Sequence, residues 1–374
     1  MNRQVGGVTL VGSRSATARI MLVTVVGQPK STPVGSASDK YFMDAQPTAP
    51  AVTQPAARGD RAGRGKRRGK DHLCPPGPPG TLACLTVDVE EYFHAEVYAG
   101  CLGREQWPQM PRRAAPFVER LAALLQRHES RATFFVLGWM VERMAPLLRH
   151  LASQGHEIAC HGDAHDHLSR MTPQTLREDL RRARGRIEDA LGIRPWGYRA
   201  PTFSLTRASA WALDVIIEAG FDYDASIFPI RHDRYGVPDA PVLPFWVVAP
   251  CGARLLEFPP LTLDCGPLRV PVGGGGYVRL LPGGVLRRCV AWRVRRGQPV
   301  MIYVHPWELD AGQPRLAVGR LSQWRHRVNL RTTEAKLERL LAAFRFDTAR
   351  NVLDRIRSDG DLPVFELSPG ADPY

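Results

Sequence analysis

The sequence predicts an α/β fold, a parallel barrel or sheet with helices outside it, and three observations carry that prediction. Apolar runs of strand length alternate with segments of helical periodicity from about residue 81 onward. One run, Ala132-Thr133-Phe134-Phe135-Val136-Leu137-Gly138, has no charge on either face, as a strand covered on both sides requires. Carboxylates, histidines and an arginine recur where such strands end, and the carboxyl ends of strands are where barrels and open α/β sheets place their chemistry.

Size and charge set the bounds. With 374 residues, 44% of them hydrophobic, the chain can bury a sizeable core. Residues 1–80 are rich in Gly, Pro, Ser, Ala and Arg, hold 12 Lys and Arg against 4 Asp and Glu, and end in Pro75-Pro76-Gly77-Pro78-Pro79-Gly80. Of the net charge of +13, +8 therefore belongs to this stretch. It reads as a disordered basic tail and linker, a solvated arm and not a specific nucleic-acid module. The folded body is expected over 81–310, with a C-terminal extension over 311–374 packing on it. Seven cysteines without a Cys-x-x-Cys pair resemble reduced, mostly buried thiols more than a disulfide framework. No run reaches the roughly 18 apolar residues that a membrane span needs. The apolar patch at residues 17–27 is brief and no small-x-small site follows it, so a cytoplasmic location is favoured over a periplasmic one.

The elements follow in order. Leu82 to Val87 is the first strand, and Pro116 sits at the start of a helix whose Phe117, Leu121, Leu124 and Leu125 recur at helical spacing. After the strand at 132–138, Pro146 opens and Gly155 closes the next helix, and His156 to Cys160 is a buried strand. Thr172 is the N-cap and Pro173 the first residue of a long helix to about Leu191, with a solvated arginine face. A helix from Thr206 to Ala219 leads to a strand at 221–224. Residues 228–298 interrupt the alternation with proline and glycine. The run Gly273-Gly274-Gly275-Gly276 lacks a following Lys-Ser or Lys-Thr, which argues against a phosphate loop. The strand Pro299 to Val304 ends at His305, and two amphipathic helices, about 333–344 and 348–358, are expected to pad the barrel.

The chemistry centres on His161-Gly162-Asp163-Ala164-His165 and the cluster Asp88-Val89-Glu90-Glu91. Two imidazoles four positions apart face one point if the backbone there turns. Together with one carboxylate from a neighbouring strand end they form a site for a divalent metal with positions left open for water and substrate. Arg199, Asp224 and His305 stand at three further strand ends.

In that order these groups resemble the polysaccharide deacetylase family of the NodB homology type, carbohydrate esterase family four, over roughly residues 82–350. More narrowly, Val87-Asp88-Val89-Glu90-Glu91-Tyr92-Phe93-His94, the string from Ser226 to Gly236, and Tyr303-Val304-His305-Pro306-Trp307-Glu308 are similar to the subfamily found with exosortase exopolysaccharide gene clusters. The resemblance implies a distorted (β/α) barrel and removal of N-acetyl groups from an N-acetylhexosamine polysaccharide. It implies Asp88 as catalytic base, Arg199 holding that base, His305 as catalytic acid, Asp224 orienting His305, and His161 and His165 as ligands of a metal, zinc by analogy. The family's second adjacent aspartate is Val89 here, so the third ligand is assigned to Glu90, two residues on and on the same side of a strand, with Glu91 as the substitute. An oxyanion donor is expected at a backbone N–H near Pro201-Thr202. Other readings are a cyclic amide or imide hydrolase on the same scaffold, a glycan-binding relative without turnover, and a nucleic-acid binder driven by the basic arm.

Overall fold

The protein is described by a computed structural model over residues 82–370, with 233 and 267 excepted. The basic tail expected over 1–80 and the last four residues lie outside the described residues. The chain runs β1 (Ala83–Val89), α1 (Ala114–Arg127), β2 (Thr133–Val136), α2 (Gly138–Ser153), β3 (Glu157–Cys160), α3 (Pro173–Leu191), β4 (Gly197–Tyr198), α4 (Ala212–Glu218) and β5 (Tyr223–Asp224). There follow β6 (Phe245–Val248), β7 (Arg254–Glu257), β8 (Thr262–Cys265), β9 (Leu268–Pro271), α5 (Gly276–Leu280), α6 (Gly283–Val294) and β10 (Val300–Val304). The C-terminal part is α7 (Arg320–Arg327), α8 (Leu330–Ala343), β11 (Phe346–Asp347), α9 (Ala349–Asp359) and β12 (Val364–Glu366).

The main sheet has the order β10-β1-β2-β3-β4-β5-β7-β6-β12 and is parallel from β10 through β7. Alternation along β1 sorts its side chains. Ala83, Leu85, Val87 and Val89 join the outer core with Leu121 and Leu125 of α1, Leu148 and Leu151 of α2, and Leu176, Leu180 and Ile187 of α3. Cys84 joins a second, inner cluster with Phe135, Ala159, Tyr223 and Met301. Thr86, Asp88 and Glu90, in register with Cys84, fall on that inner side, which is why the strand can end in buried carboxylates.

Several boundaries differ from the sequence reading. Pro146 lies inside α2, which begins at Gly138 directly after β2. Its early start is anchored from outside, since Gly138 N–H and Trp139 N–H donate to the carbonyls of Gly162 and Asp163 (2.9 and 3.0 Å). The helix expected over 206–219 is divided into a short 3₁₀ turn at Arg207–Ser209 and α4. The interruption after 228 holds two antiparallel hairpins, β6/β7 and β8/β9. The glycine run packs as backbone against β10. Gly274 bridges to Tyr303, and a Cβ at Gly274 would stand 2.1 Å from that ring.

The C-terminal helices do more than pad the outside. β11 pairs with β1 at Ala83 and Cys84, and β12 adds a parallel edge strand to β6. Ala349, Val352 and Leu353 of α9 belong to the inner cluster, and Ala349 N–H donates to Thr133 Oγ1 (2.7 Å), so α9 plugs the barrel interior. The thiols are less buried than expected: among the described cysteines, all free, Cys84 and Cys160 are buried, whereas Cys101, Cys251 and Cys265 are exposed. No described helix is long and apolar enough to cross a membrane.

Candidate active site

The loop after β3 is built to present two rings. Gly162 takes φ 76°, a left-handed conformation that favours glycine, and a Cβ there would lie 2.9 Å from Asp179 Oδ2. Asp179 of α3 accepts from Asp163 N–H at 2.8 Å, and Asp163 in turn takes Arg182 Nε at 3.1 Å, so part of the arginine face expected to be solvated is pinned to this loop. His165 itself has φ 55°, a strained backbone for a side chain with a Cβ.

Glu90 reaches the loop from the end of β1. Its Oε1 lies 3.0 Å from His161 Nε2 and 2.9 Å from His165 Nε2, and one donor atom from each of the three residues lies within 4.8 Å of the others. His161 Nδ1–H donates to the Arg199 carbonyl (2.8 Å), which leaves the Nε2 lone pair facing the carboxylate. Two electron-rich atoms that close need a positive charge between them, and two imidazoles with one carboxylate fit a divalent metal. Burial works against the Glu90 charge, yet the charges of His165 and His305 hold its carboxyl well below the usual range. Glu91 does not join. Its Oε2 accepts from the N–H groups of Arg113 and Ala114 (2.7 and 3.1 Å), satisfying orphan donors at the start of α1.

Asp88 lies beside this cluster. Arg199, with no exposed surface, donates from Nη1 to Asp88 Oδ1 (2.6 Å) and Thr86 Oγ1 (2.8 Å) and from Nε to the Ala225 carbonyl (3.1 Å). Its guanidinium also lies 4.2 Å from the Phe135 ring centre. His305 Nε2 stands 3.8 Å from Asp88 Oδ2. Burial disfavours the imidazolium, but the carboxylates of Glu90, Glu308 and Asp88 outweigh it and push His305 up to about 9.

The expected partner of His305 is corrected. Asp224 turns to Ser226, accepting from its Oγ (2.6 Å) and N–H (3.1 Å), and lies in register with Glu257 on β7. Burial and the charge of Asp224 raise Glu257 well above its ordinary range, so this acid pair keeps a proton. Ser226 Oγ accepts from Ala200 N–H (2.7 Å), so Asp224 shapes the backbone beside Arg199 and not the imidazole. The carboxylate on His305 is that of Glu308, whose Oε1 accepts from Nδ1 (2.8 Å) and from the His305 N–H (3.0 Å). The string His305-Pro306-Trp307-Glu308 held this signal, because a 3₁₀ turn at 306–309 brings positions i and i+3 together. Sequence reasoning also passed over His94, whose buried ring stacks at 19° to His165 with centres 6.1 Å apart. At the expected oxyanion position, Thr202 and Phe203 are both left-handed (φ 58° and 52°), a local strain of the kind that collects at functional sites.

Residues 109–223 match the family model "Polysaccharide deacetylase", and residues 225–354 match "Domain of unknown function (DUF3473)". The chain is 32% identical over 92 residues to the uncharacterized protein YlxY of Bacillus subtilis, covering 25% of this chain and 29% of that protein. It is 27% identical over 110 residues to the peptidoglycan deacetylase of Helicobacter pylori, 29% of this chain and 36% of that one. Over 67 residues it is 36% identical to the chitooligosaccharide deacetylase of a Bradyrhizobium species, 18% of this chain and 31% of that one. The chain thus spans about a third of the length of the curated relatives it matches. In fold it is similar to the crystal structure named "putative polysaccharide deacetylase from Mycobacterium smegmatis", with a TM-score of 0.51, 18% identity, and coverage of 79% of this chain and 96% of that one. The fold is the distorted barrel of that structure, residues 109–223 match the polysaccharide deacetylase family model over about a third of the chain, and residues 225–354 match a domain of unknown function.

Proposed function

We propose that the protein is a metal-dependent hydrolase that removes N-acetyl groups from an N-acetylhexosamine-containing polysaccharide, breaking a carbon–nitrogen bond other than a peptide bond. The observation that carries the reading is the convergence of Glu90, His161 and His165 at one point, flanked by Asp88 on Arg199 and His305 on Glu308. The names of the relatives, a peptidoglycan deacetylase and a chitooligosaccharide deacetylase, point to the same substrate class.

Glu90, His161 and His165 would hold the cation, and a nitrogen- and oxygen-donor set with open positions suits zinc. A bound divalent cation supplies charge that polarises the acetamide carbonyl and lowers the pKa of water. Asp88, fixed by Arg199, takes the proton of the attacking water. His305, with Nδ1 committed to Glu308, presents Nε2 to the departing amine and gives it a proton, so that free amine and acetate leave. The resemblance of three strings to the exosortase-associated subfamily supports a role in exopolysaccharide biosynthesis.

Metal analysis of the purified protein, with acetate release measured on a panel of N-acetylhexosamine polymers, tests the proposal. About one equivalent of metal and metal-dependent acetate release are expected. Ring opening of a cyclic amide without acetate release from any glycan would move the reading to the other amide hydrolases, and glycan binding with neither metal nor turnover would end the enzyme reading.

A further inference from the structure

Residues 225–354 match a domain of unknown function, and a buried polar cluster of that segment lies behind His305. Two routes lead there. On the first, Arg279 of α5 donates from Nε to Glu308 Oε2 (2.8 Å), while Glu308 Oε1 holds His305. Arg279 is 4% exposed and Glu308 fully buried. The other end of Arg279 is gripped by backbone, its Nη1 donating to the carbonyls of Arg325 (3.1 Å), His326 (2.6 Å) and Val328 (3.4 Å) at the end of α7. On the second route, the rings of His305, Trp307 and His326 form a stack, with 4.9 Å between the first two centres and 4.5 Å between the last two. Gln313 fixes the far ring, accepting from His326 Nε2 (2.9 Å) and donating to the carbonyls of Trp307 and Asp310 (3.2 Å each).

We infer that Arg279 and the segment 313–328 are positioning elements for the acid step, fixing through Glu308 and Trp307 which way the His305 imidazole points. The inference rests on the proposed hydrolase reading and gives the domain of unknown function a task within it. Its physical basis is division of labour within one carboxylate. With Oε2 committed to a buried guanidinium, Glu308 has only Oε1 for His305, so Nδ1–H has one acceptor direction and Nε2 one orientation. Without Arg279 the carboxylate is free to rotate, and the imidazole loses its reference.

A positioned acid matters only where the leaving group needs a proton. An amine leaving from an acetamide needs one, and 4-nitrophenoxide leaving from an aryl acetate does not. The test measures kcat and KM of the full chain on an N-acetylglucosamine oligomer and on 4-nitrophenyl acetate, for wild type, Arg279→Gln and the isosteric Glu308→Gln, each with its metal content. The expected result is a fall in kcat on the acetamide, with little change in KM, that exceeds the fall on the aryl ester by more than about tenfold. Glu308→Gln keeps the comparison available if Arg279→Gln does not fold. Equal losses on both substrates, or no loss on either, would overturn the inference. A wild-type protein that releases no acetate from any acetamide would overturn the hydrolase reading itself, and that is seen before any variant is made.

Discussion

Arg199 Nη1 and Asp88 Oδ1 are 2.6 Å apart, with both side chains sealed from water. A buried charge that loses its partner is costly, whereas the intact pair gives Asp88 one fixed orientation. The pair therefore has a structural face and, on the proposed reading, a catalytic one, and the two separate experimentally. Asp88→Asn keeps the shape of the side chain and leaves Glu90, His161 and His165 in place, so metal content should match wild type. Acetate release should fall by at least about a thousandfold, as expected on losing a general base, and stability by about 3 kcal/mol because the guanidinium is left uncompensated. Metal analysis, a single-substrate assay and a urea melt decide all three, and a fully active Asp88→Asn would show that Asp88 is not the base.

Glu90 and Glu91 are adjacent in sequence and opposite in use. Replacing His161 or His165 by Ala, or Glu90 by Gln, should strip or sharply weaken the metal. Glu91→Gln should leave metal content unchanged and cost about 1 kcal/mol of stability, since it weakens the acceptor for two N–H groups at the start of α1. Metal loss from Glu91→Gln with full retention in Glu90→Gln would reverse the assignment.

The alkaline side of the activity profile should report His305. As the proposed acid it would act protonated, so turnover should fall as pH rises through its titration, which the carboxylates of Glu308 and Asp88 displace upward. Glu308→Gln removes one of those carboxylates and should move that limb toward lower pH. An unmoved limb would assign the loss of activity to another group.

Much of this site was legible in the sequence because strand ends and short spacings are local properties. Alternation placed Asp88 and Glu90 on one side of β1, and the five-residue loop placed His161 and His165 together. Asp224 was misread because its partner Glu257 comes from a hairpin that the proline- and glycine-rich stretch concealed, and two carboxyls in register on parallel strands bind each other's proton before they reach a distant ring. Arg279 left no signal, since it is 29 residues from Glu308 and 47 from His326, and only tertiary packing brings the three together. The start of α2 was missed for a similar reason. Its first N–H groups are satisfied by the histidine loop and not by a local cap, so no capping residue marks the position.

Away from the site, His156 offers a test of the buried polar framework. It opens the approach to β3, its Nδ1 accepts from Ala132 N–H (3.1 Å), and its ring packs edge-on to Phe134 with centres 5.3 Å apart. Burial, helped by the charges of Arg131 and His150, pushes it down to about 4. The unfolded chain has no such burial and takes up a proton near pH 6.5, so between 6.5 and about 4 it binds one proton more at this residue than the folded chain does. The contribution is therefore fully present above 6.5 and declines by about 1.4 kcal/mol per pH unit as the pH falls. Neighbouring buried carboxyls such as Glu157, raised by burial, work in the opposite sense, so the total stability hides the effect and a difference measurement is needed. His156→Asn retains an acceptor for Ala132 and carries no titrating group. It should be less stable than wild type at pH 7.5, with the gap closing by about 3 kcal/mol by pH 4 in urea titrations. A gap that stays constant across that range would mean that His156 takes up its proton inside the folded protein as readily as outside it.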